Sequence, residues 1–239
     1  YAEPIASALR YLGTAQDAEG SIGPRSTQQY MYNHRIATLA MVESYATTRS
    51  PIQKAACQKA LDFVAKARNP YLGWRYGVRP GDNDTSITTW MVMCLKSALL
   101  VNKADVRAGR QASFKLDPAA FDGARTWIEK ITDPDYGRAG YVQRGTGSAR
   151  PQELVDRFPA DKSEAMTAAA MVARIVMGED PAKSKILKMG ADLCLKLPPT
   201  WNLTDGSIDM YYWYYGTLAM FQVGGRHWTK WRTALNEAV

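Results

Sequence analysis

The stretch "SITTWMVMCLKSALL", residues 86–100, is apolar on nearly every side of any helix it forms. A helix of that kind has no wet face and must be covered on most sides by protein. Three further segments read the same way: "IATLAMVESY" (36–45), "AMTAAAMVARIVM" (165–177) and "MYYWYYGTLAMFQV" (210–223). Each is preceded by an amide or acidic residue able to accept an N-terminal backbone N–H: Asn33, Asp84, Asp161 and Asp209. Gly178 and Gly224 follow two of them and are predicted C-caps.

Between these dry segments lie amphipathic ones. Ser50-Pro51, Asp117-Pro118 and Asp180-Pro181 each place a capping residue before proline at the first helical position, where the missing N–H costs nothing; Glu3-Pro4 is a weaker version. Over 52–67, Ile52, Ala56, Ala60, Phe63, Val64 and Ala67 oppose Lys54, Lys59, Asp62 and Lys66. Over 181–197, Ile186, Leu187, Cys194 and Leu197 oppose Lys183, Lys188, Asp192 and Lys196.

Wet and dry helices alternate, and the dry ones resemble one another. "TLAM" at 38–41 recurs at 217–220, with "WMVM" (90–93) and "AAAM" (168–171) in the same frame, at spacings of 52, 78 and 49 residues. Two polar insertions, near 102–116 and 142–160, lengthen the middle interval. The turns repeat too: "DAEGSIG" (17–23), "YLGWRYG" (71–77), "YGRAGY" (136–141) and "LTDGSID" (203–209). A period near 50 predicts stacked helical hairpins. Dry inner helices predict a concentric arrangement, an all-α α/α-toroid, as a single domain over 1–239. About nine helices make about four and a half hairpins, so an incomplete ring, or a part of a longer protein, is expected.

Composition excludes several classes. Of 239 residues 46% are apolar and 22% charged, as in ordinary globular chains. No apolar run reaches the roughly 18 residues of a membrane span, and there is no signal-peptide pattern. The chain begins at Tyr1 rather than Met, which leaves room for a removed leader and leaves the compartment open. Lys and Arg number 30 against 23 for Asp and Glu, spread out with no evident nucleic-acid stripe. Cys57, Cys94 and Cys194 lie in dry helical context, and the histidines are His34 and His227. That set argues against a disulfide framework or a zinc centre, so no metal and no cofactor are expected.

The outer-helix-to-loop segments carry a resemblance. "ALRYLGTAQDAEGSIG" (8–23) resembles the Q-W repeat of squalene cyclases, with Gln16 and Gly20 matching and Ile22 where Trp is usual. "ALDFVAKARNPYLGW" (60–74) has Gly73-Trp74 but Arg68 in place of Gln. The chain is thus similar to the terpenoid cyclase and protein prenyltransferase superfamily, closest to bacterial proteins known by prenyltransferase and squalene-oxidase repeats, whose activity is generally unassigned.

Cyclases of that superfamily carry D-x-D-D-T-A at the start of an inner helix, where the middle acid protonates an alkene. Matching Thr85 to the motif's Thr puts Asn83 on the proton donor and Gly81 on the first Asp. An amide cannot protonate an alkene, so this register makes Asp84 a helix cap; a slipped register restores an acid at Asp82 or Asp84 but loses the surrounding pattern. The zinc set of the prenyltransferases, the Cys-Gly-Glu-Gln thioester segment and the Asp-rich diphosphate motif are absent from the sequence.

Other candidates come from register and composition. His34, Ser86, Glu164 and Trp213 share one frame on their helices and are expected at one mouth of the ring. Asp82, Asp84, His34 and Glu164 are the candidate acids and bases. Arg75 and Arg79, in "GWRYGVRPGD" (73–82), suit carboxylate or phosphate, or else pair with Asp82 and Asp84. Trp90, Tyr212 and Trp213 are candidate ligand-facing aromatics, able to stack on sugars or stabilise cations, or else plain core. Two functions follow: a non-catalytic module binding an isoprenoid, a carbohydrate or a protein partner, or an enzyme acting on a polyprenoid or a polysaccharide.

Overall fold

The computed structural model describes residues 2–26, 30–145, 149–150, 152–158, 163–204 and 208–239. Among them lie nine α-helices: α1 (Ala2–Thr14), α2 (Tyr30–Thr48), α3 (Pro51–Ala67), α4 (Thr85–Arg107), α5 (Pro118–Ile131), α6 (Ala165–Val176), α7 (Lys185–Lys196), α8 (Met210–Val223) and α9 (Gly225–Ala238). A single 3-10 turn covers Gln152–Leu154. The described residues contain no strand; isolated bridges join Gln16 with Ile22 and Thr132 with Ala139. The all-α class is as expected. None of the described helices is long and apolar enough to cross a membrane.

The chain folds as two compact units. The first comprises Tyr1–Asn83 and Trp90–Ala124, the second Asp84–Thr89 and Arg125–Val239, so α4 and α5 each contribute residues to both.

In the first unit α2 packs along α3. Met31, Met41, Val42, Cys57, Leu61, Phe63, Val64 and Met91 are buried, each worth roughly 1.5–3 kcal/mol if its side chain is apolar and fully covered. The loop after α1 seats on α3. Gly20, at φ 94, lies against the Lys59 carbonyl, and the Gln16 amide donates to the Ala56 carbonyl at 3.0 Å and the Gly20 carbonyl at 3.2 Å. The loop after α3 is anchored by Trp74, fully buried, whose indole N–H donates to the Val64 carbonyl at 2.7 Å. Beyond α4, Asp105 accepts from Arg49, Arg110 and Ser113. The Ser113 hydroxyl foremost, then the two guanidinia, hold its carboxyl below the usual range.

In the second unit α6 and α8 form the most extensive helix pair, with α7 against both and α9 against α7 and α8. Every residue of α6 from Ala165 to Ala173 is buried. Small side chains set the close approaches. Gly190 of α7 meets Met171 of α6, and Gly216 of α8 meets the Trp231 ring of α9, whose indole N–H donates to Thr217 at 3.0 Å. The loop after α5 repeats the one after α1. Asp133 N–H donates to the Arg138 carbonyl at 2.8 Å, as Asp17 N–H does to Ser21, and Gly137 (φ 74) rests on α7 as Gly20 rests on α3.

Several boundaries differ from the sequence reading. Asn33 caps nothing, because α2 starts at Tyr30 and takes Asn33 and His34 inside it. Asp180-Pro181 opens a turn, not a helix: Asp180 accepts from Ala182 N–H at 2.9 Å, and the true cap is Ser184, which accepts from Leu187 N–H at 3.1 Å. Glu164 occupies the N-cap position of α6; Asp161 lies outside the described residues, as do parts of the 142–160 insertion and of the 203–209 turn. The insertion near 102 starts late, since α4 continues to Arg107. Ile52, counted on the apolar face of α3, is exposed. Ser50 caps α3, Asp209 caps α8, and Gly224 closes α8 at φ 70, all as read.

Candidate functional site

The candidate acids are occupied by structure. Asp84 is fully buried, and its Oδ1 accepts the Ile87 N–H at 2.7 Å, the bond of an N-cap. Asp82 pairs with the Arg75 guanidinium. Glu164 takes the Arg138 guanidinium on one oxygen and the Thr167 hydroxyl on the other at 2.6 Å. His34 is fully buried; its Nδ1 accepts the Ile22 N–H at 3.2 Å, and its ring meets Phe63 edge-on at 4.7 Å. Burial pushes its pKa down to about 4, so the imidazole is neutral at neutral pH. His34 and Glu164 share a frame and do related work. The first holds Ile22 directly; the second holds Thr167, whose hydroxyl accepts the N–H of Ala139, the bridge residue equivalent to Ile22.

Ser86, Tyr211, Tyr215, Arg150 and Asp209 gather in the second unit. The Ser86 and Tyr211 hydroxyls are 2.6 Å apart, and burial foremost pushes the Tyr211 phenol up to about 12. Arg150 pairs with Asp209, which also accepts from Ser163 at 3.0 Å, and lies over the Tyr211 ring at 4.4 Å. Tyr212 and Trp213 are buried. The Tyr212 hydroxyl donates to the Cys194 carbonyl at 3.1 Å and its ring meets Trp231 at 5.5 Å, while Trp213 lies 6.3 Å from Trp201.

A second group, in the first unit, is built differently. The Arg35 guanidinium sits 3.6 Å from the Trp90 ring centre and 4.6 Å from that of Tyr32. Tyr32 in turn meets Tyr76 at 6.0 Å with a 43° tilt, and Arg75 lies 5.7 Å from Tyr76. Three rings and two guanidinia therefore form one chain of contacts: Trp90, Arg35, Tyr32, Tyr76, Arg75. Helix α2 supplies Tyr32 and Arg35 from one face, three residues apart, and α4 supplies Trp90. Trp90, Tyr32 and Tyr76 are each half-buried, so the rings reach solvent, while the Arg35 guanidinium between Trp90 and Tyr32 is buried.

The loop bearing Tyr76 is held from several sides. Asn69 accepts the Gly81 N–H at 2.9 Å and donates to the Asp82 carbonyl and, at 3.1 Å, to the Asn83 side chain. Arg79 N–H donates to the Ala67 carbonyl at 3.0 Å, and its Nε donates to the Lys66 carbonyl at 3.1 Å rather than pairing with Asp82 or Asp84. Tyr71 (φ 62) and Arg79 (φ 50) hold left-handed conformations there, uncommon for non-glycine residues. Of this group the sequence pointed to Arg75, Arg79 and Trp90; it missed Tyr32, Arg35 and Tyr76. The three-residue spacing of Tyr32 and Arg35 was the available signal.

Among the described residues no group of three His, Cys, Asp or Glu side chains converges as a metal site. Cys57, Cys94 and Cys194 are buried free thiols, each pushed up to about 12 by burial. Comparison of the chain with protein-family models, curated proteins and solved structures finds no match.

Proposed function

We propose that the chain is a non-catalytic ligand-binding module, built as a partial α/α-toroid of the squalene-cyclase-like kind. The toroid reading is supported by the sequence alternation and by the like seating of two outer-to-inner loops on the following outer helix: Gly20 on α3 and Gly137 on α7. The binding reading is carried by the Trp90–Arg35–Tyr32–Tyr76–Arg75 array, in which half-buried rings and the half-buried Arg75 surround the buried Arg35 guanidinium beside an anchored loop. Preorganised loops bind with less ordering cost, and left-handed non-glycine residues mark places where local strain is retained for a purpose.

The absence of catalysis is supported by the work the acids already do. Asn83 stands where an acid would be needed, and Asp84, Asp82, Glu164 and His34 each secure a helix start, a loop or a side chain. The competing reading, an enzyme acting on a polyprenoid, draws on one observation: Asp84 is a fully buried carboxyl group close enough to Tyr211 to raise its pKa. Incubation of the protein with squalene and with geranylgeranyl diphosphate, followed by mass spectrometry of the extract, separates the two. Unchanged substrate is expected. A cyclised product that disappears with Asp84→Asn would establish the enzyme instead.

A further inference from the structure

We infer that the aromatic–arginine array of the first unit is a subsite for an acidic oligosaccharide, a chain of pyranose rings bearing carboxylates. The inference rests on the binding reading above and names its ligand.

The chemistry of the surface narrows the choice. An isoprenoid calls for a dry apolar wall, whereas here the Arg35 and Arg75 guanidinia adjoin the rings. A single flat base calls for two parallel faces, but Tyr32 and Tyr76 are tilted by 43° with centres 6.0 Å apart. Two successive tilted rings suit a puckered chain that lays the C–H face of one sugar after another on the exposed parts of Tyr32 and Tyr76. Arginine is the residue whose fork matches a carboxylate. Arg75 already engages one, that of Asp82, and exposed Arg79 stands on the same loop, fixed by its backbone bond to Ala67. The carboxylate of the ligand takes the place of Asp82 on Arg75 or adds to it at Arg79. The net charge of +7 favours the approach of such a polyanion.

The test is calorimetric titration of the intact chain, with tryptophan fluorescence in parallel, against four probes: tetragalacturonate, the neutral galactose tetramer, adenosine monophosphate and tripolyphosphate. Binding of tetragalacturonate alone, weakened at least tenfold by Tyr76→Ala and by Arg79→Gln, is expected. The exposed Arg79 variant keeps the test sound if Tyr76→Ala fails to fold. Three results would overturn the proposal: no heat and no fluorescence change with tetragalacturonate, equal affinity for tripolyphosphate or the nucleotide, or uronate binding indifferent to both substitutions. Turnover of squalene would sink the non-catalytic reading without touching this one, so the two fail separately.

Discussion

The Asp84 carboxylate accepts the backbone N–H of Ile87 at 2.7 Å, which fixes its place as the cap of α4. Replacing it with alanine removes that acceptor and should cost about 1–2 kcal/mol, in the upper range for caps because the site is fully buried. Asparagine can still accept the same N–H, so Asp84→Asn should cost well under half as much. Urea denaturation of the three proteins, read by far-UV circular dichroism, gives the order directly.

Gly20 lies against the Lys59 carbonyl at φ 94, while Gly13, inside α1, has open space around it. Alanine at 20 meets both a clash and an unfavourable backbone and should destabilise by about 2 kcal/mol or more. Alanine at 13 should stabilise by about 0.5–1 kcal/mol through helix propensity. Opposite shifts in melting temperature check the pair. Equal shifts would mean that the loop is not seated on α3.

His34 is buried and neutral, with a pKa near 4 against 6.5 for an exposed imidazole. The unfolded chain binds a proton below about pH 6.5 that the folded protein refuses until about pH 4, so stability is lost as the pH falls through that window. The loss by pH 4 is on the order of 3 kcal/mol, and none of it is felt above pH 6.5. His34→Gln should flatten this part of the pH–stability curve, as measured by denaturation at pH 7 and pH 4.5.

Cys57, Cys94 and Cys194 are buried with pKa values near 12. A thiolate, not a thiol, attacks a disulfide reagent. The native protein should therefore react with Ellman's reagent only at the rate of its opening, and all three thiols should react at once in denaturant.

Helix type and order were legible in the sequence because a dry helix and an amphipathic one differ in pattern over many residues. Ser50 and Asp209 were readable as caps because each stands directly before its helix and accepts from it. Asp180 misled because Asp-Pro starts a turn as readily as a helix, and only the competing Ser184 settles which. Asn33 misled because apolar residues N-terminal to it, Tyr30 and Met31, were not counted into the helix. The acids were half-legible. A mismatched motif pointed Asp84 toward capping, but the partner of Glu164 is Arg138, on a loop 26 residues earlier, and no local pattern announces such a pair. The array around Arg35 was invisible as a whole because its members come from α2, α4 and the loop between α3 and α4, joined only by folding.

The most direct trial of a binding module whose acids serve structure is a titration of wild-type protein and Asp84→Asn with tetragalacturonate under identical conditions. The account predicts overlapping isotherms and no new product in either mixture. An isotherm lost in the Asp84→Asn protein, or a cleaved or cyclised product formed only by the wild type, would contradict it.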